Sequence, residues 1–467
     1  MSIAPATTAH RKRRARAAVL RPIAGLLVLM ALGACTSTDD FQDAVAAINP
    51  FGENKKKLQG ERHPVLDESA ATQVAKGKSV AISAPRPIGN WGQAAGPAAN
   101  NPGNVALNGT GGTRIWATKA GEVGAGDFTR DSVRISARPV SADGRIFVYD
   151  PNGNVSAHSA DNGTGLWKVN LRPEGIGAIA PGGGVATDGP RVYVSTGYGV
   201  VAALDAATGA TVWSRKLDKP GRSAPAVADG KLYLGSEGNV LYALNAADGT
   251  DVWNFRGVPE VGGLLGASNP AVSGGIVVVP FSSGELDAID IKTGNGLWSE
   301  QMARASRNFA VTGLSDITAS PVIDDGVVYA TGIGSRTAAF NLKTGLKLWD
   351  IGVGSAHTPA VAGNAVFIVD LDDNLLAIDR KSGETVWSSH LPVNRTKHKA
   401  THWAGPLLAG GSLWLVSNEG GMLAVDPTSG RVTMTKGDGH ELRVTAPIVA
   451  NGHMVTLSAT GTLAAYD

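Results

Sequence analysis

The stretch Ala203-Leu204-Asp205-Ala206-Ala207-Thr208-Gly209, followed by Trp213, contains the motif that decides the fold. The pattern Ala-x-Asp-x-x-Thr-Gly-x-x-x-Trp recurs along the chain, in several copies with conservative replacements. Seven copies begin at Ala157, Ala203, Ala243, Ala288, Ala339, Ala377 and Ala424. In the last of these, Met434 takes the place of the tryptophan. A motif repeated at about this spacing is typical of a fold built from equivalent supersecondary units.

An eighth copy is divided between the two ends of the repeat region. Ala465-Tyr466-Asp467 supplies its first half, and Gly112-Thr113-Arg114-Ile115-Trp116 supplies its second half. A linear array has no use for two half-repeats, whereas a closed ring can join them into one unit. The sequence therefore predicts that an N-terminal strand at Thr113–Ala117 pairs with the C-terminal repeat.

Each repeat contains short apolar runs separated by tight-turn residues. Between Ser223 and Asn254, for example, turns are expected at Asp229-Gly230, Glu237-Gly238-Asn239 and Asp248-Gly249. Four short strands in a unit of about 44 residues are typical of propeller blades. We predict an all-β chain that forms an eight-bladed β-propeller of four-stranded antiparallel blades. The tryptophans are expected to pack between neighbouring blades.

The N-terminus resembles a bacterial lipoprotein signal. Residues 1–34 contain six basic residues and no acid, followed by an apolar run too short to span a bilayer comfortably. Leu32-Gly33-Ala34-Cys35 follows, and Cys35 is the only cysteine in the chain. We expect cleavage after residue 34 and lipidation of Cys35. Residues 35–88 are expected to form a largely extended tether, and residues 89–467 the propeller.

The charge balance argues against nucleic acid as a partner. The whole chain has a formal charge of +2, and without the six basic residues of the signal this becomes −4. A mildly acidic mature protein lacks the basic surface that binds phosphate backbones.

The repeats resemble the PQQ-like repeat of quinoprotein dehydrogenases, and the whole chain resembles the BamB family of lipoproteins. Gly60-Glu61-Arg62 and Trp91-Gly92-Gln93 are similar to segments of alphaproteobacterial members. The resemblance implies a non-enzymatic scaffold without cofactor or metal, in the β-barrel assembly machinery (BAM complex). It further implies a lipid anchor in the outer membrane, a periplasmic orientation, and binding to BamA and other BAM subunits. Unfolded outer-membrane proteins are a further expected partner.

The resemblance also implies which loops contact BamA. It assigns partner binding to Leu264 and Leu265 before one blade, and to Leu314, Ser315 and Asp316 before the next. The match is incomplete, because Leu265 stands where the family has an arginine and Thr318 replaces a second acid.

Two other functions remain as alternatives. A PQQ-dependent dehydrogenase requires a calcium ligand set, and the richest oxygen cluster is Asp370-Leu371-Asp372-Asp373-Asn374, which lacks the spacing of a calcium loop and fits a hairpin turn. His398 and His402 are four residues apart, with no third ligand in the sequence nearby. The second alternative is a propeller that binds polysaccharide or peptide in the cell envelope.

Overall fold

The computed structural model describes residues 74–123, 134–259, 268–302, 318–396, 399–437, 443 and 445–467. All of them belong to one unit that runs from Leu66 to Asp467. Every regular element in these ranges is a β-strand. Within the same ranges, no helix is long and apolar enough to cross a membrane.

The strands form eight antiparallel sheets of four strands, as the repeats predict. Blade 8 combines β1 (Arg114–Lys119) with the last three strands of the chain. Blade 1 comprises β2 (Val140–Ala142), β3 (Arg145–Tyr149), β4 (Asn154–Ser159) and β5 (Gly165–Asn170). Blade 2 comprises β6 (Gly183–Thr187), β7 (Arg191–Thr196), β8 (Val200–Asp205) and β9 (Thr211–Lys216). Blade 3 comprises β10 (Ala226–Ala228), β11 (Lys231–Ser236), β12 (Val240–Asn245) and β13 (Asp251–Arg256).

The second half of the ring repeats this plan. Blade 4 comprises β14 (Ala271–Ser273), β15 (Ile276–Pro280), β16 (Glu285–Asp290) and β17 (Gly296–Gln301). Blade 5 comprises β18 (Val322–Asp324), β19 (Val327–Gly332), β20 (Arg336–Asn341) and β21 (Lys347–Ile351). Blade 6 comprises β22 (Ala360–Ala362), β23 (Ala365–Val369), β24 (Asn374–Asp379) and β25 (Thr385–His390). A two-stranded hairpin follows, with β26 (Arg395–Thr396) and β27 (Lys399–Ala400). Blade 7 comprises β28 (Trp403–Ala409), β29 (Ser412–Ser417), β30 (Gly421–Val425) and β31 (Val432–Gly437). Blade 8 is completed by β32 (Ile448–Ala450), β33 (His453–Leu457) and β34 (Thr462–Tyr466).

The two ends of the repeat region close the ring, which confirms the interpretation of the split repeat. Strand β1 pairs antiparallel with β34, and Trp116 lies opposite Ala465. Beyond the ladder, Thr113 and Asp467 exchange backbone hydrogen bonds of 2.7 and 2.8 Å. Closure leaves no blade at the end of an open array.

The repeated motif forms the turn between the third and fourth strands of a blade. One carboxylate oxygen of Asp205 accepts hydrogen bonds from the backbone nitrogen and the hydroxyl of Thr208, both at 2.8 Å. These bonds hold the pKa of Asp205 below its ordinary value. Gly209 follows with φ of +75°, a left-handed conformation that glycine adopts at no steric cost.

The tryptophans pack between blades, as predicted. Each of seven indole rings lies over the motif glycine of the next blade, where an added Cβ would approach the ring to 2.6–2.8 Å. The seven rings belong to Trp116, Trp167, Trp213, Trp253, Trp298, Trp349 and Trp387. Each indole nitrogen also donates to a backbone carbonyl of that blade at 2.8–3.2 Å. At the eighth seam, the sulfur of Met434 lies over Gly112, and Lys436 donates to the Gly112 carbonyl.

Residues 74–108, here called the strap, cross the ring and hydrogen-bond to every blade. In blade order, the bonded pairs are Trp91–Ser141, Gly92–Thr187, Gln93–Val227, Ala98–Val272, Ala99–Ile323, Ala81–Asn364, Val105–Leu408 and Asn108–Gly452. All of these partners lie on the first strand of a blade or in the turn that follows it.

This pattern places the strap on one face of the ring. In an antiparallel meander, the turns after the first and third strands lie at one end of the blade, here called the turn face. The connections after the second and fourth strands lie at the other end, here called the loop face. The strap therefore covers the turn face at the axis.

Candidate functional site

The residues predicted to carry lipid and to contact BamA lie outside the described residues. They are Cys35, Leu264, Leu265, Leu314, Ser315 and Asp316. The flanking strands are described, however. Strands β13 and β17 end at Arg256 and Gln301, and both ends lie on the loop face of blades 3 and 4.

Hydrogen bonds between blades fix the points where the two segments rejoin the ring. The Asn269 amide donates to the Ser320 hydroxyl at 2.9 Å, and the Ser320 amide donates to the Thr358 hydroxyl at 3.2 Å. The Thr318 hydroxyl donates to the Ala356 carbonyl at 3.3 Å. Blades 4, 5 and 6 are thereby tied together directly beside both segments.

A groove lies beside them, between the outer strands of blades 3 and 4. This seam groove is lined by residues 255–259 of blade 3, and by Glu285, Asp287 and residues 296–299 of blade 4. Val258 and Leu297 are 54% and 46% exposed, so both offer apolar surface to a partner. The Val258 amide donates to a Glu285 carboxylate oxygen at 2.9 Å, which fixes the groove wall.

The groove also contains a buried acid, Asp287, which is 3% exposed. Burial raises the pKa of Asp287 to about 6, against a hydrogen bond from Ser299 that lowers it, while the charge of Glu285 raises it further. One carboxylate oxygen of Asp287 has no hydrogen-bond partner among the described residues. Asp287 therefore lies beneath the groove, and the exposed Val258 and Leu297 supply its contact surface.

Leu297 belongs to a wider pattern that the sequence interpretation missed. On six blades the residue directly before the tryptophan is aliphatic and 41–49% exposed: Ile115, Leu166, Val212, Val252, Leu297 and Leu348. On blade 6 the equivalent Val386 is 7% exposed, where the strap bonds to Thr385 beside it. The signal in the sequence was the aliphatic residue at this one motif position.

A second cavity, of about 340 Å³, lies on the propeller axis. Every blade contributes to it with residues at or just before its first strand: Arg138, Gly183, Arg222, Asn269, Ser320, His357, Leu407 and Thr445. The strap forms its floor with Trp91, Asn100 and their neighbours.

This cavity occupies the place where quinoprotein dehydrogenases hold PQQ and calcium, according to the resemblance. Its described lining contains no aspartate or glutamate to bind calcium. Cys35, the only cysteine in the sequence, cannot form the vicinal disulfide of those enzymes. The residues present therefore do not fit the calcium and quinone centre.

Of the other metal candidates, the Asp370 cluster has a structural explanation. Asp370 accepts hydrogen bonds from the Asp372 and Asn374 amides at 2.9 and 2.7 Å, which confirms the hairpin turn. His398 lies outside the described residues, and the His402 amide donates to Asn418 at 2.9 Å. Over the described ranges, no group of three His, Cys, Asp or Glu side chains is placed to hold a metal ion.

Comparison with known proteins identifies the family. The model of the family described as "Outer membrane protein assembly factor BamB" matches residues 101–180 and 151–389. The BamB of Yersinia pestis is 28% identical over 360 residues, which cover 76% of this chain and 88% of that protein.

Solved structures support the fold. The crystal structure of BamB from Moraxella catarrhalis superposes with a TM-score of 0.59 at 20% identity, covering 75% of this chain and 97% of that one. The quinohemoprotein alcohol dehydrogenase of Comamonas testosteroni reaches a TM-score of 0.61 at 16% identity, covering 81% and 80%. The two likenesses share the propeller architecture, and the family match distinguishes between them: this chain belongs to the outer membrane protein assembly factor BamB family.

Proposed function

We propose that this protein is a non-enzymatic lipoprotein scaffold of the β-barrel assembly machinery. It binds the periplasmic region of BamA, cooperates with the other BAM subunits, and supports insertion of β-barrel proteins into the outer membrane. The family match over residues 101–389 is the observation that carries this proposal. The proposed location is the outer membrane, with the lipid anchor at Cys35 and the propeller in the periplasm.

The seam groove supplies a surface for the BamA contact. It lies beside the strand ends that lead into residues 260–267 and 303–317, the segments that contain the predicted contact residues. Val258 and Leu297 provide an apolar centre, while Arg256 and Glu285 provide charged groups at the edge. Apolar centres with polar edges are the usual arrangement in interfaces of modest size.

The axial cavity supports the non-enzymatic part of the proposal. Its described lining lacks the acids that a calcium and quinone centre requires. Binding through exposed loops and seams is the mode expected of a rigid ring whose interior is occupied by packed strands.

The test compares two equivalent leucines. Leu297 lines the seam groove between blades 3 and 4, and Leu166 lines the corresponding groove between blades 8 and 1. They occupy the same motif position and are 46% and 49% exposed. The tagged full-length protein, extracted from membranes in detergent, would be purified with its partners, and the BamA recovered would be quantified.

We expect Leu297→Glu to reduce BamA recovery at least tenfold, and Leu166→Glu to leave it unchanged. Leu264→Glu and Asp316→Arg test the predicted loops in the same assay, with the same expected loss. Recovery equal to that of the wild type with all three variants, Leu297→Glu, Leu264→Glu and Asp316→Arg, would contradict this binding surface. Failure of the wild-type protein to recover any BAM subunit, or dye-linked dehydrogenase activity after incubation with PQQ and calcium, would contradict the scaffold function itself.

A further inference from the structure

The strap contacts the outer strand of blade 6 as well as its inner turn. On the other blades, the backbone bonds of the strap reach the first strand or the turn that follows it. On blade 6, Val74 also forms a parallel bridge with Thr385 of the outer strand, and the Ala75 amide donates to the Thr385 carbonyl at 2.8 Å. Residues 74–82 therefore run across the turn face of blade 6, from its outer strand toward the axis.

The inner part of this path is firmly held by Asn364, in the turn after the first strand. The Asn364 side chain accepts from the Ala81 amide at 2.7 Å and donates to the Ser79 carbonyl at 2.9 Å. The Asn364 backbone amide donates to the Ala81 carbonyl at 3.1 Å. Val80 lies between these bonds, is 7% exposed, and belongs to the same apolar cluster as Val386 of blade 6. These contacts fix the strap from Ser79 onward.

The outer part, residues 74–78, is held by fewer contacts. Within the described part of the chain, its backbone is bonded to the ring only through Ala75 and Thr385. Val74 is 55% exposed. Gly77 has φ of +77°, and no described atom lies within 4 Å of a Cβ added there. A segment with so few buried contacts can open locally while the rest of the fold stays intact.

The Lys78 side chain supplies the remaining attachment of this outer part. Its Nζ forms ion pairs with Glu384 and, at 3.4 Å, with Asp379, and it donates to the Ser382 hydroxyl at 2.6 Å. The Glu384 carboxylate raises the pKa of Lys78, and Lys78 lowers the pKa of Glu384. The two side chains are 31% and 56% exposed, so dissolved salt screens their attraction.

The acid that pairs with Lys78 is specific to blade 6. Glu384 directly follows the motif glycine. In the other seven copies of the motif, the residue at this position is neutral or basic: Thr113, Thr164, Ala210, Thr250, Asn295, Leu346 and Arg431. The acceptor for the lysine thus occurs on the one blade along which residues 74–82 run. The ion pair is therefore a specific attachment and not a general property of the repeat.

We propose that the ion pair between Lys78 and Glu384 is a reversible latch for residues 74–78. With the latch closed, the tether joins the ring at the outer strand of blade 6. With the latch open, it joins at Ser79. Opening thus adds residues 74–78 to the chain between Cys35 and the ring, which extends its reach by up to about 18 Å. The latch rests on the described contacts, whereas its effect on the distance to the membrane rests on the proposed lipid anchor.

Hydrogen exchange of the full-length lipoprotein in a non-ionic detergent tests the latch. Mass spectrometry with electron-transfer fragmentation separates the Ala75 amide, which is bonded only with the latch closed, from the Ala81 amide, which Asn364 holds in both states. For the wild type, we expect the Ala75 amide to exchange about threefold faster in about 500 mM NaCl than in about 20 mM, because salt screens the ion pair. The Ala81 amide should stay protected at both concentrations.

Three variants make the result specific. In low salt, Lys78→Gln and Glu384→Gln should each accelerate exchange of the Ala75 amide about fivefold, because each removes one partner of the ion pair. Lys76→Gln is the matched control, since Lys76 is an exposed lysine of the same segment that forms no ion pair with a described residue. It should exchange like the wild type. Continued protection of the Ala81 amide shows that the ring is intact in each variant.

Two results would overturn the proposal. One is exchange of the Ala75 amide that is as slow in Lys78→Gln and Glu384→Gln as in the wild type. The other is equal acceleration by Lys76→Gln, which would show that the Glu384 ion pair is not the specific attachment. The mass of the N-terminal peptide reports lipidation of Cys35 in the same samples, so failure of the proposed lipid anchor is a separate outcome.

Discussion

Trp91 and Ser141 exchange two backbone hydrogen bonds, in which each amide donates to the other residue's carbonyl at 2.8 and 2.9 Å. Through this exchange, one residue of the strap pairs with the first strand of blade 1. The indole ring is buried in a cluster that also contains Ile146 and Val148 of blade 1 and Trp414 of blade 7. The strap is therefore part of the hydrophobic core.

We expect Trp91→Ala to lower the free energy of unfolding by about 3–5 kcal/mol, because it removes a fully buried aromatic ring and leaves a cavity. Urea denaturation followed by circular dichroism measures the loss. Trp91→Phe is the matched control and should lose less than half as much. A loss below about 1 kcal/mol for Trp91→Ala would show that the strap contributes little to the fold.

Two glycines with the same φ angle separate the packing of a seam from the geometry of a turn. Gly294 and Gly326 both have φ of +74°. An added Cβ on Gly294 would lie 2.7 Å from the Trp253 ring, whereas none of the described atoms lies within 4 Å of one on Gly326.

We expect Gly326→Ala to cost about 1 kcal/mol, for the left-handed backbone alone. Gly294→Ala should cost about 1–3 kcal/mol more, because the tryptophan must move. Thermal and urea unfolding of both variants measure the difference. Equal destabilisation by the two substitutions would mean that the seam accommodates the extra carbon without strain.

Asp287 is expected to make stability depend on pH. Its pKa is raised to about 6 in the folded protein, from 3.8. The folded state therefore binds the proton more tightly, and the stability present below pH 4 is lost as pH rises through 6.

In Asp287→Asn this contribution disappears. We expect the variant to match the wild type near pH 4 and to be more stable at pH 7.5, by up to about 3 kcal/mol. Urea denaturation of both proteins between pH 4 and 7.5 gives the difference. A stability difference between the two proteins that does not change with pH would contradict the raised pKa of Asp287.

Cys35 is predicted to carry the lipid anchor. Replacing it with serine, which cannot form the thioether, should move the protein from the membrane fraction to the soluble periplasmic fraction. Because two or three acyl chains bury many CH2 groups at about 0.8 kcal/mol each, the shift should be nearly complete. Fractionation with immunoblotting measures it, and continued sedimentation of Cys35→Ser with outer membranes would contradict the prediction.

The blades were predictable because their determinants are local. Asp205, Thr208 and Gly209 form one turn within five residues, and Trp213 follows at a fixed distance, so each motif specifies its own hairpin and its own seam. Closure was predictable as well, since Gly112 to Trp116 and Asp467 each carry half of that motif.

The strap and the axial cavity could not be predicted in this way. The strap has no strand periodicity, and its bonds to Ser141 or Leu408 are made by the backbone, which carries no sequence signal. Arg138 and Trp91 come together only because the ring and the strap meet at the axis. The sequence also could not show which side of each outer strand is exposed. Leu297 and Trp298 are both apolar, and only the packing at the seam covers Trp298 and leaves Leu297 exposed.

Closure of the ring also sets an order in which parts of the fold can form. Lys119 of β1 bonds to Thr460, 341 residues later in the sequence, and the strap's Asn108 bonds to Asn451 in the same blade. Strand β1 and Asn108 therefore find their partners only after the last blade has been made, whereas Trp91 already finds Ser141 in blade 1. Contacts of such long range form slowly, because the loop must be closed before they contribute. Strand β1, although it comes before all other strands in the sequence, is thus among the last parts of the ring to become native.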